Sequence, residues 1–313
     1  MKINHNNFLK LAFNIAKVNL GKTSLNPSVG CVVVKNNSVI SSGCTSINGR
    51  PHAEFNALKS QKNFKNSDLY VTLEPCTHYG ITPPCTNIIA KKGVKRVYFS
   101  FDDSDKRTAK RSKKKLRKKK IKVYKKLNNN FKDFYQSYFL NQKHNTPFID
   151  AKIAISKDYL TINKKAKWIT NSLSRRRTHL IRSEYDAIIS TSKSINKDNS
   201  LLNCRLAGFN SNKPDLIIID LMLKIKTNLS LFKNINKRKI LIVTSISDSK
   251  KISYLRKKGV KIILIESLDS KKDFINLFKI LRKYAYNRIL VESGLIFLNK
   301  LLKENLIFNL YVF

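Results

Sequence analysis

Three short segments constrain this chain more tightly than anything else in it: Pro51-His52-Ala53-Glu54, Glu74-Pro75-Cys76 and Pro83-Pro84-Cys85. One imidazole and two thiols, placed at the starts of predicted helices, suit a tetrahedral zinc with its fourth position left open. A lone cysteine usually packs in a core, and a lone histidine is usually satisfied or solvated. The three segments together are far rarer than any one of them. Whatever the fold, it has to bring His52, Cys76 and Cys85 to one point.

A zinc ion held this way lowers the pKa of a water at the open position enough to supply hydroxide at neutral pH. Glu54 lies two residues past His52, where it points away from the metal yet reaches that water. A carboxylate there can take a proton and hand it to a leaving amine. This is the logic of zinc deaminases, written H-x-E followed by P-C-x-x-C. Here the spacing differs, because Cys76 and Cys85 are separated by eight residues, Thr77 to Pro84. A metal accepts such a loop, since only the geometry of its ends matters. Cys31, Cys44 and Cys204 read as structural.

Around these segments, helix and strand patterns alternate. An amphipathic helix carries Phe8, Leu11, Ala12, Ile15 and Ala16. Strands are expected at Cys31–Lys35 and Ser38–Ser42 around Asn36-Asn37, then at Leu69–Leu73, Arg96–Phe101 and Ile121–Tyr124. Helices are expected at His52–Lys59, Cys85–Lys92 and Phe131–Leu140. Asn141–Pro147 has the polar, proline-ended look of a linker, which divides the chain into 1–145 and 146–313. The second half alternates in the same way. Its strands are Phe148–Ile155, Ala187–Ser190, Leu216–Asp220, Ile240–Val243, Lys261–Ile265 and Arg288–Val291. Its principal helices are Ser172–Arg182, Lys271–Tyr284 and Ile296–Lys303. Both halves are therefore α/β.

Charge is the feature most open to misreading. Lys plus Arg number 62 against 20 Asp plus Glu, a formal charge of +42. A nucleic-acid binder is the obvious inference. However, Lys outnumbers Arg 48 to 14, and Asn and Ile are abundant. These are residues of A/T-rich codons, whereas nucleic-acid binders favour the bidentate Arg. Lys106–Lys126, the most basic stretch, lacks the aromatic interleaving of a stacking platform. The charge thus reads as compositional drift, and no specific nucleic-acid partner is expected. The first 20 residues lack the unbroken apolar run of a secretory signal, and no run of 18 apolar residues exists. With five Cys in a chain too long to need disulfide staples, a reduced, cytoplasmic protein is expected.

The segments Asn26-Pro27-Ser28-Val29-Gly30-Cys31, Pro51–Glu54, Val71–Cys76 and Thr77–Cys85 together resemble the bifunctional riboflavin-biosynthesis deaminase/reductase family. The eight-residue loop with His78, Gly80 and Thr82-Pro83-Pro84-Cys85 is specific to that family among zinc deaminases. The resemblance implies a cytidine-deaminase-like three-layer α/β/α domain, with His52, Cys76 and Cys85 as zinc ligands and Glu54 as the catalytic group. Water would attack C2 of a 2,5-diaminopyrimidinone ribosyl phosphate, ammonia would leave, and a uracil ring would remain. Asn26 matches the family's contact to the pyrimidine edge and His78 its contact near the sugar phosphate. Asp103-Ser104-Asp105-Lys106 departs from the family's D-P-N-P loop.

The second half carries no G-x-G-x-x-G fingerprint. It resembles the family's reductase half through Thr146–Ser156, Trp168-Ile169-Thr170, Arg175–Arg182, Asp198–Arg205 and Val291-Glu292-Ser293-Gly294. This implies a dihydrofolate-reductase-like α/β domain that transfers hydride from NADPH to C1 of a ring-opened ribosylamine, leaving a ribityl chain. Lys152, Arg182, Leu202, Arg205 and Glu292 match substrate contacts. Ala154, Trp168, Ser194, Asp198 and Gly294 match cofactor contacts, with the cofactor's phosphates at the helix start after Gly294. Asn199-Ser200 replace the usual Asp-Pro, and Leu221 replaces a serine. The chain stops at Leu310–Phe313, inside an expected strand, where relatives continue, so a shortened domain with an open edge is expected. Assembly with further copies of the chain is compatible with this reading. The alternatives are a deaminase whose second domain is a degenerate scaffold, and an RNA-binding or RNA-editing protein built on a deaminase fold.

Overall fold

The computed structural model describes residues 4–60, 63–127, 129–161, 169–209, 213–233, 235 and 238–313. They form two compact units, residues 1–144 and 145–313. Among the described residues no helix is long and apolar enough to cross a membrane.

The first unit opens with helix α1 (His5–Lys17). The Asn4 side chain caps it by accepting the Asn6 N–H, and Lys17 ends it, where a cation suits the helix dipole. Strands β1 (Gly30–Lys35) and β2 (Ser38–Cys44) form an antiparallel hairpin. Its two turn residues, Asn36 and Asn37, have φ of 50° and 61°, the left-handed pair that a two-residue hairpin requires. There follow α2 (Ala53–Leu58), β3 (Asp68–Leu73), α3 (Cys85–Lys91), β4 (Arg96–Phe101), α4 (Ser112–Lys118), β5 (Lys122–Lys125) and α5 (Gln136–His144). The sheet order is β2-β1-β3-β4-β5. β1 runs antiparallel to both neighbours, while β3, β4 and β5 are mutually parallel.

Alternation along the strands separates two faces. Val32, Val34, Tyr70 and Tyr98 meet Leu9 and Ala12 of α1. Val33, Val71, Val97 and Phe99 meet Ala53, Ala57 and Leu58 of α2 and Ile89 of α3. The result is three layers, helix, sheet and helix. Two glycines set how closely the outer layers approach. A Cβ on Gly30 would lie 1.8 Å from the Ala12 carbonyl oxygen of α1. A Cβ on Gly43 would lie 2.5 Å from Ala57 N of α2. The backbone of α2, which carries Glu54, therefore rests directly on β2.

The second unit contains β6 (Phe148–Ile153), α6 (Ser172–Arg182), β7 (Ala187–Thr191), α7 (Ser192–Asp198), β8 (Asp215–Ile219) and β9 (Ile240–Thr244). It continues with α8 (Lys250–Lys257), β10 (Lys261–Leu264), α9 (Lys271–Lys283), β11 (Arg288–Val291), α10 (Leu295–Lys303) and β12 (Leu310–Val312). The sheet order is β10-β9-β8-β7-β11-β6-β12, and every pairing in it is parallel. Residues 216–219 of β8 and 240–243 of β9 are unbroken apolar runs, as strands covered on both faces must be. Phe274, Leu277 and Leu281 of α9 and Leu298 and Leu301 of α10 cover one face. Ile181 of α6, Ile195 of α7 and Ile252 and Leu255 of α8 cover the other. β11 returns between β6 and β7, so the ends of these three strands lie side by side, where open parallel sheets place ligands.

Three details differ from the sequence reading. The helix expected over Phe131–Leu140 is displaced to Gln136–His144 and runs into the segment read as linker. Phe131 ends a short 3-10 helix and residues 132–135 stay in turns, with Phe131 stacked on Phe13 at 4.3 Å and Phe134 edge-on to Phe13. α7 and α8 were not singled out because each buries only a short apolar face; Thr191 and Ser249 cap them. At the end of the chain only Leu310–Val312 is strand, paired with β6, while Phe308 stacks on Phe148 at 4.5 Å. β12 is the edge of the sheet.

The Gly30 packing gives a direct test. Gly30→Ala must push α1 off the sheet, because the obstructing atoms are backbone. A loss of about 3 kcal/mol, the upper part of the usual overpacking range, is expected in denaturant unfolding.

Candidate functional site

His52 is the residue before α2, in extended conformation, so its side chain leaves the helix start. Cys76 follows the end of β3, and Cys85 is the first residue of α3. The three bring one ligand atom each within 4.8 Å of one another. His52 Nδ1 lies 3.6 Å from Cys76 Sγ and 3.4 Å from Cys85 Sγ. A zinc ion with Zn–S of ~2.3 Å and Zn–N of ~2.05 Å at tetrahedral angles sets nitrogen and sulfur roughly 3.6 Å apart. The donor set fits zinc in chemistry and in spacing.

The electrostatics agree. The Cys85 backbone N–H donates to Cys76 Sγ at 3.2 Å. The hydrogen bond from the Cys85 thiol pulls the Cys76 thiol well down, helped by His52 and opposed by burial, while the same bond and burial push Cys85 up. Burial lowers His52, but the hydrogen bond with Cys76 and the charge of Glu54 outweigh it, and the imidazole titrates above its usual range. Glu54, in the first turn of α2, is 4% exposed. Burial, with Cys76 beside it, pushes its carboxyl up to about 7.

Glu74 has a part that its place in the Glu-Pro-Cys segment does not reveal. Its buried carboxylate accepts three backbone N–H bonds, from Asp103 at 3.3 Å, Lys110 at 2.9 Å and Ser112 at 2.9 Å. It ties the segment after β4 to the end of β3, next to Cys76. Nothing in the sequence beyond its place two residues before Cys76 marks this role. Asp103, in that segment, accepts the Tyr138 hydroxyl at 2.9 Å. Asp105 is paired with Arg107 at 2.6 Å.

The expected substrate residues of this unit, Asn26 and His78, are both half-buried. Asn26 is in the turn after α1, its carbonyl accepting the Thr23 hydroxyl at 2.7 Å. The Asn26 side chain packs over Gly49, three residues before His52. His78 sits in the loop between the cysteines, its Nδ1 3.1 Å from Thr108 Oγ1.

In the second unit Arg182 of α6 meets Glu292, just past β11. Arg182 Nε and Nη2 donate to the two Glu292 oxygens at 2.6 and 2.9 Å, and Nη1 donates to the Asn203 carbonyl at 3.1 Å. Burial alone would raise the Glu292 carboxyl, but Arg182 and then Lys152 hold it below its usual range. Burial lowers the Lys152 ammonium while Glu292 opposes that. Arg205 is exposed and donates to Asn203 Oδ1 at 2.7 Å, and its backbone N–H meets His179 Nδ1 at 3.3 Å. His179 and Asn203 therefore belong to this cluster, although only their flanking motifs were singled out from sequence. Leu202 is buried in the core with φ of 49°. Its carbonyl accepts Arg238 Nη1 at 3.0 Å, another residue the sequence reading did not single out.

Among the expected cofactor residues, Ser194 and Gly294 are brought together: the Gly294 N–H donates to Ser194 Oγ at 3.2 Å. Gly294 opens α10, whose first turn has no side-chain cap, so its amides suit an anionic diphosphate. Ala154 lies just beyond β6, and Asp198 ends α7, exposed. Trp168 lies outside the described residues.

Fold and site together define a two-domain α/β enzyme, a zinc-binding deaminase of the cytidine-deaminase type followed by a reductase domain. Residues 2–101 match the family model described as "Cytidine and deoxycytidylate deaminase zinc-binding region", and residues 147–313 match "RibD C-terminal domain". Riboflavin biosynthesis protein RibD of Aquifex aeolicus is 32% identical over 311 residues, covering 98% of this chain and 85% of that one. The Buchnera aphidicola RibD is 33% identical over 323 residues, with the same two coverages. Acinetobacter baumannii RibD superposes with a TM-score of 0.83 at 27% identity over 98% of this chain and 86% of that one. A Thermotoga maritima structure named as a diaminohydroxyphosphoribosylaminopyrimidine deaminase/5-amino-6-(5-phosphoribosylamino)uracil reductase gives 0.82 at 27% identity, covering 96% and 83%. The chain belongs to the bifunctional RibD family of riboflavin biosynthesis, with deaminase and reductase activities. Neither the scaffold-only nor the nucleic-acid alternative is favoured.

Removing the Glu74 carboxylate tests its clamp. Glu74→Ala strands buried N–H donors, so a loss of about 2 kcal/mol is expected. Faster amide exchange at Lys110 and Ser112 should accompany it.

Proposed function

We propose that the first unit deaminates 2,5-diamino-6-ribosylamino-4(3H)-pyrimidinone 5′-phosphate at C2. The second unit then reduces the product's ribosyl group with NADPH to 5-amino-6-(5-phosphoribitylamino)uracil. The convergence of His52, Cys76 and Cys85 beside the buried Glu54 carries the first half of this reading. The bidentate Arg182–Glu292 pair beside Lys152, at the strand ends, supports the second.

His52 Nδ1 and the sulfurs of Cys76 and Cys85 would hold a zinc ion, which would supply the Lewis acidity that makes water nucleophilic at neutral pH. Glu54 takes a proton from water as the oxygen adds to C2 and passes it to the adjacent ring nitrogen; it then passes the hydroxyl proton to the amino group, so the oxygen stays as the C2 carbonyl and ammonia leaves. Burial favours the protonated carboxyl, which suits a group that must also give the proton back. Asn26 binds the pyrimidine edge, and His78 lies near the sugar phosphate.

The start of α10, near Ser194 and Gly294, would hold the diphosphate of NADPH, which would supply the hydride of the second step. Ala154, Trp168 and Asp198 complete the cofactor contacts. C1 of the ring-opened imine would take the hydride while its nitrogen takes a proton from water, leaving a secondary amine on a ribityl chain. Arg182 holds Glu292 and the 203 backbone in place, while the more exposed Arg205 offers its guanidinium to the substrate's phosphate. Lys152, Leu202 and Glu292 line the sugar.

Glu54→Gln tests the proton shuttle. It should retain one zinc per chain by metal analysis and lower ammonia release by about 10²- to 10⁴-fold, the range of general acid–base catalysis. Full turnover in that variant contradicts the assigned role. Glu292→Gln should depress NADPH oxidation while ammonia release continues; equal loss of both activities contradicts a reductase-specific role.

A further inference from the structure

The loop between the two cysteines, Thr77 to Pro84, contains no Lys or Arg. At its tip Ile81 is 89% exposed. A ribosyl phosphate bound beside His78 therefore has no permanent cation from this loop. One arrives from elsewhere. Arg50, two residues before the ligand His52, reaches across and donates from Nη1 to Thr82 Oγ1 at 2.6 Å. This leaves Nη2 facing Gly80. A Cβ built on Gly80 would meet Arg50 Nη2 at 3.4 Å and His78 Nε2 at 4.0 Å. Gly80 is not in the left-handed region, so its backbone does not demand glycine. What the missing side chain provides is open space between a guanidinium and an imidazole.

We propose that Arg50, Gly80 and His78 form the subsite for the substrate's 5′-phosphate, with Arg50 as its permanent cation. The inference rests on the proposed deamination of a ribosyl phosphate and adds the residue that selects the phosphorylated substrate. Guanidinium suits this task because its N–H fork can hold Thr82 and a phosphate oxygen at once. His78 Nδ1 lies 3.1 Å from Thr108 Oγ1; in the tautomer where Thr108 donates to Nδ1, the Nε2 proton is left to donate to the same anion. Asp105 also lies close enough to feel His78, but its carboxylate is held by the Arg107 fork at 2.6 Å.

The test compares deamination of the ribosyl phosphate with that of the same nucleoside lacking the phosphate, in the wild type, Arg50→Ala, Arg50→Lys and Thr82→Val. Arg50→Ala should raise KM for the phosphorylated substrate about 10- to 100-fold, the range of a charge-assisted hydrogen bond. It should leave kcat and zinc content little changed and lower the phosphate preference in kcat/KM by the same factor. Arg50→Lys should restore part of that preference, and Thr82→Val should lose a smaller part. Product binding, followed by calorimetry, should weaken in parallel. Equal losses on both substrates, loss of zinc, or an unchanged KM overturns the assignment of Arg50. If the wild type deaminates neither substrate, the functional reading itself falls and the subsite falls with it.

Discussion

Three ligand atoms drawn from the residue before one helix, the first residue of another and the segment after one strand can meet only if these ends are held within a few ångströms. The whole first unit is organised by that requirement. β3 delivers Cys76, α3 begins at Cys85, and α2 must lie against β2 closely enough for His52 and Glu54 to reach the same point. Gly43 permits that approach, because any side chain there would strike the α2 backbone. Glu74 then fixes the end of β3 by accepting three N–H bonds from the segment after β4. The site is thus held by backbone contacts, and Glu54 gains its burial from the same packing.

The second unit solves a similar problem with different chemistry. Its sheet is parallel throughout, and β11 is inserted between β6 and β7, so Lys152, Ser194, Glu292 and Gly294 all come from neighbouring strand ends. A buried carboxylate is costly unless it is paired. Glu292 is paired with both arms of Arg182, which in turn holds the Asn203 carbonyl. The stretch Leu201–Asn203 beside this pair is further fixed by Arg238, whose guanidinium reaches the carbonyls of Leu201, Leu202 and Pro214.

Residues whose chemistry is written in a short motif were legible from sequence. His52, Cys76 and Cys85 could be grouped because no bland role requires that pattern, and long apolar runs such as Leu216–Asp220 announced buried strands. Residues that act by holding backbone were not legible. Glu74 accepts amides and Arg238 donates to carbonyls far away in sequence, and the Asn203 carbonyl accepts the Arg182 guanidinium, so their partners appear only after folding. Arg50 escaped notice because it is one cation among 62. The displaced helix at Gln136–His144 has a similar cause: Phe131 and Phe134 are claimed by Phe13 rather than by a helix of their own. The +42 charge was the loudest feature of the composition, yet the metal site is built from His, Cys and Glu.

The central claim is that one chain carries both successive steps. It is tested most directly by supplying the purified, zinc-loaded protein with the diaminopyrimidinone ribosyl phosphate and NADPH and following ammonia and NADPH together. The account predicts ammonia release followed by NADPH oxidation, approaching one equivalent of each per substrate, with ammonia alone when NADPH is omitted. Ammonia release with no NADPH oxidation, even when the deaminated intermediate is added directly, would contradict it.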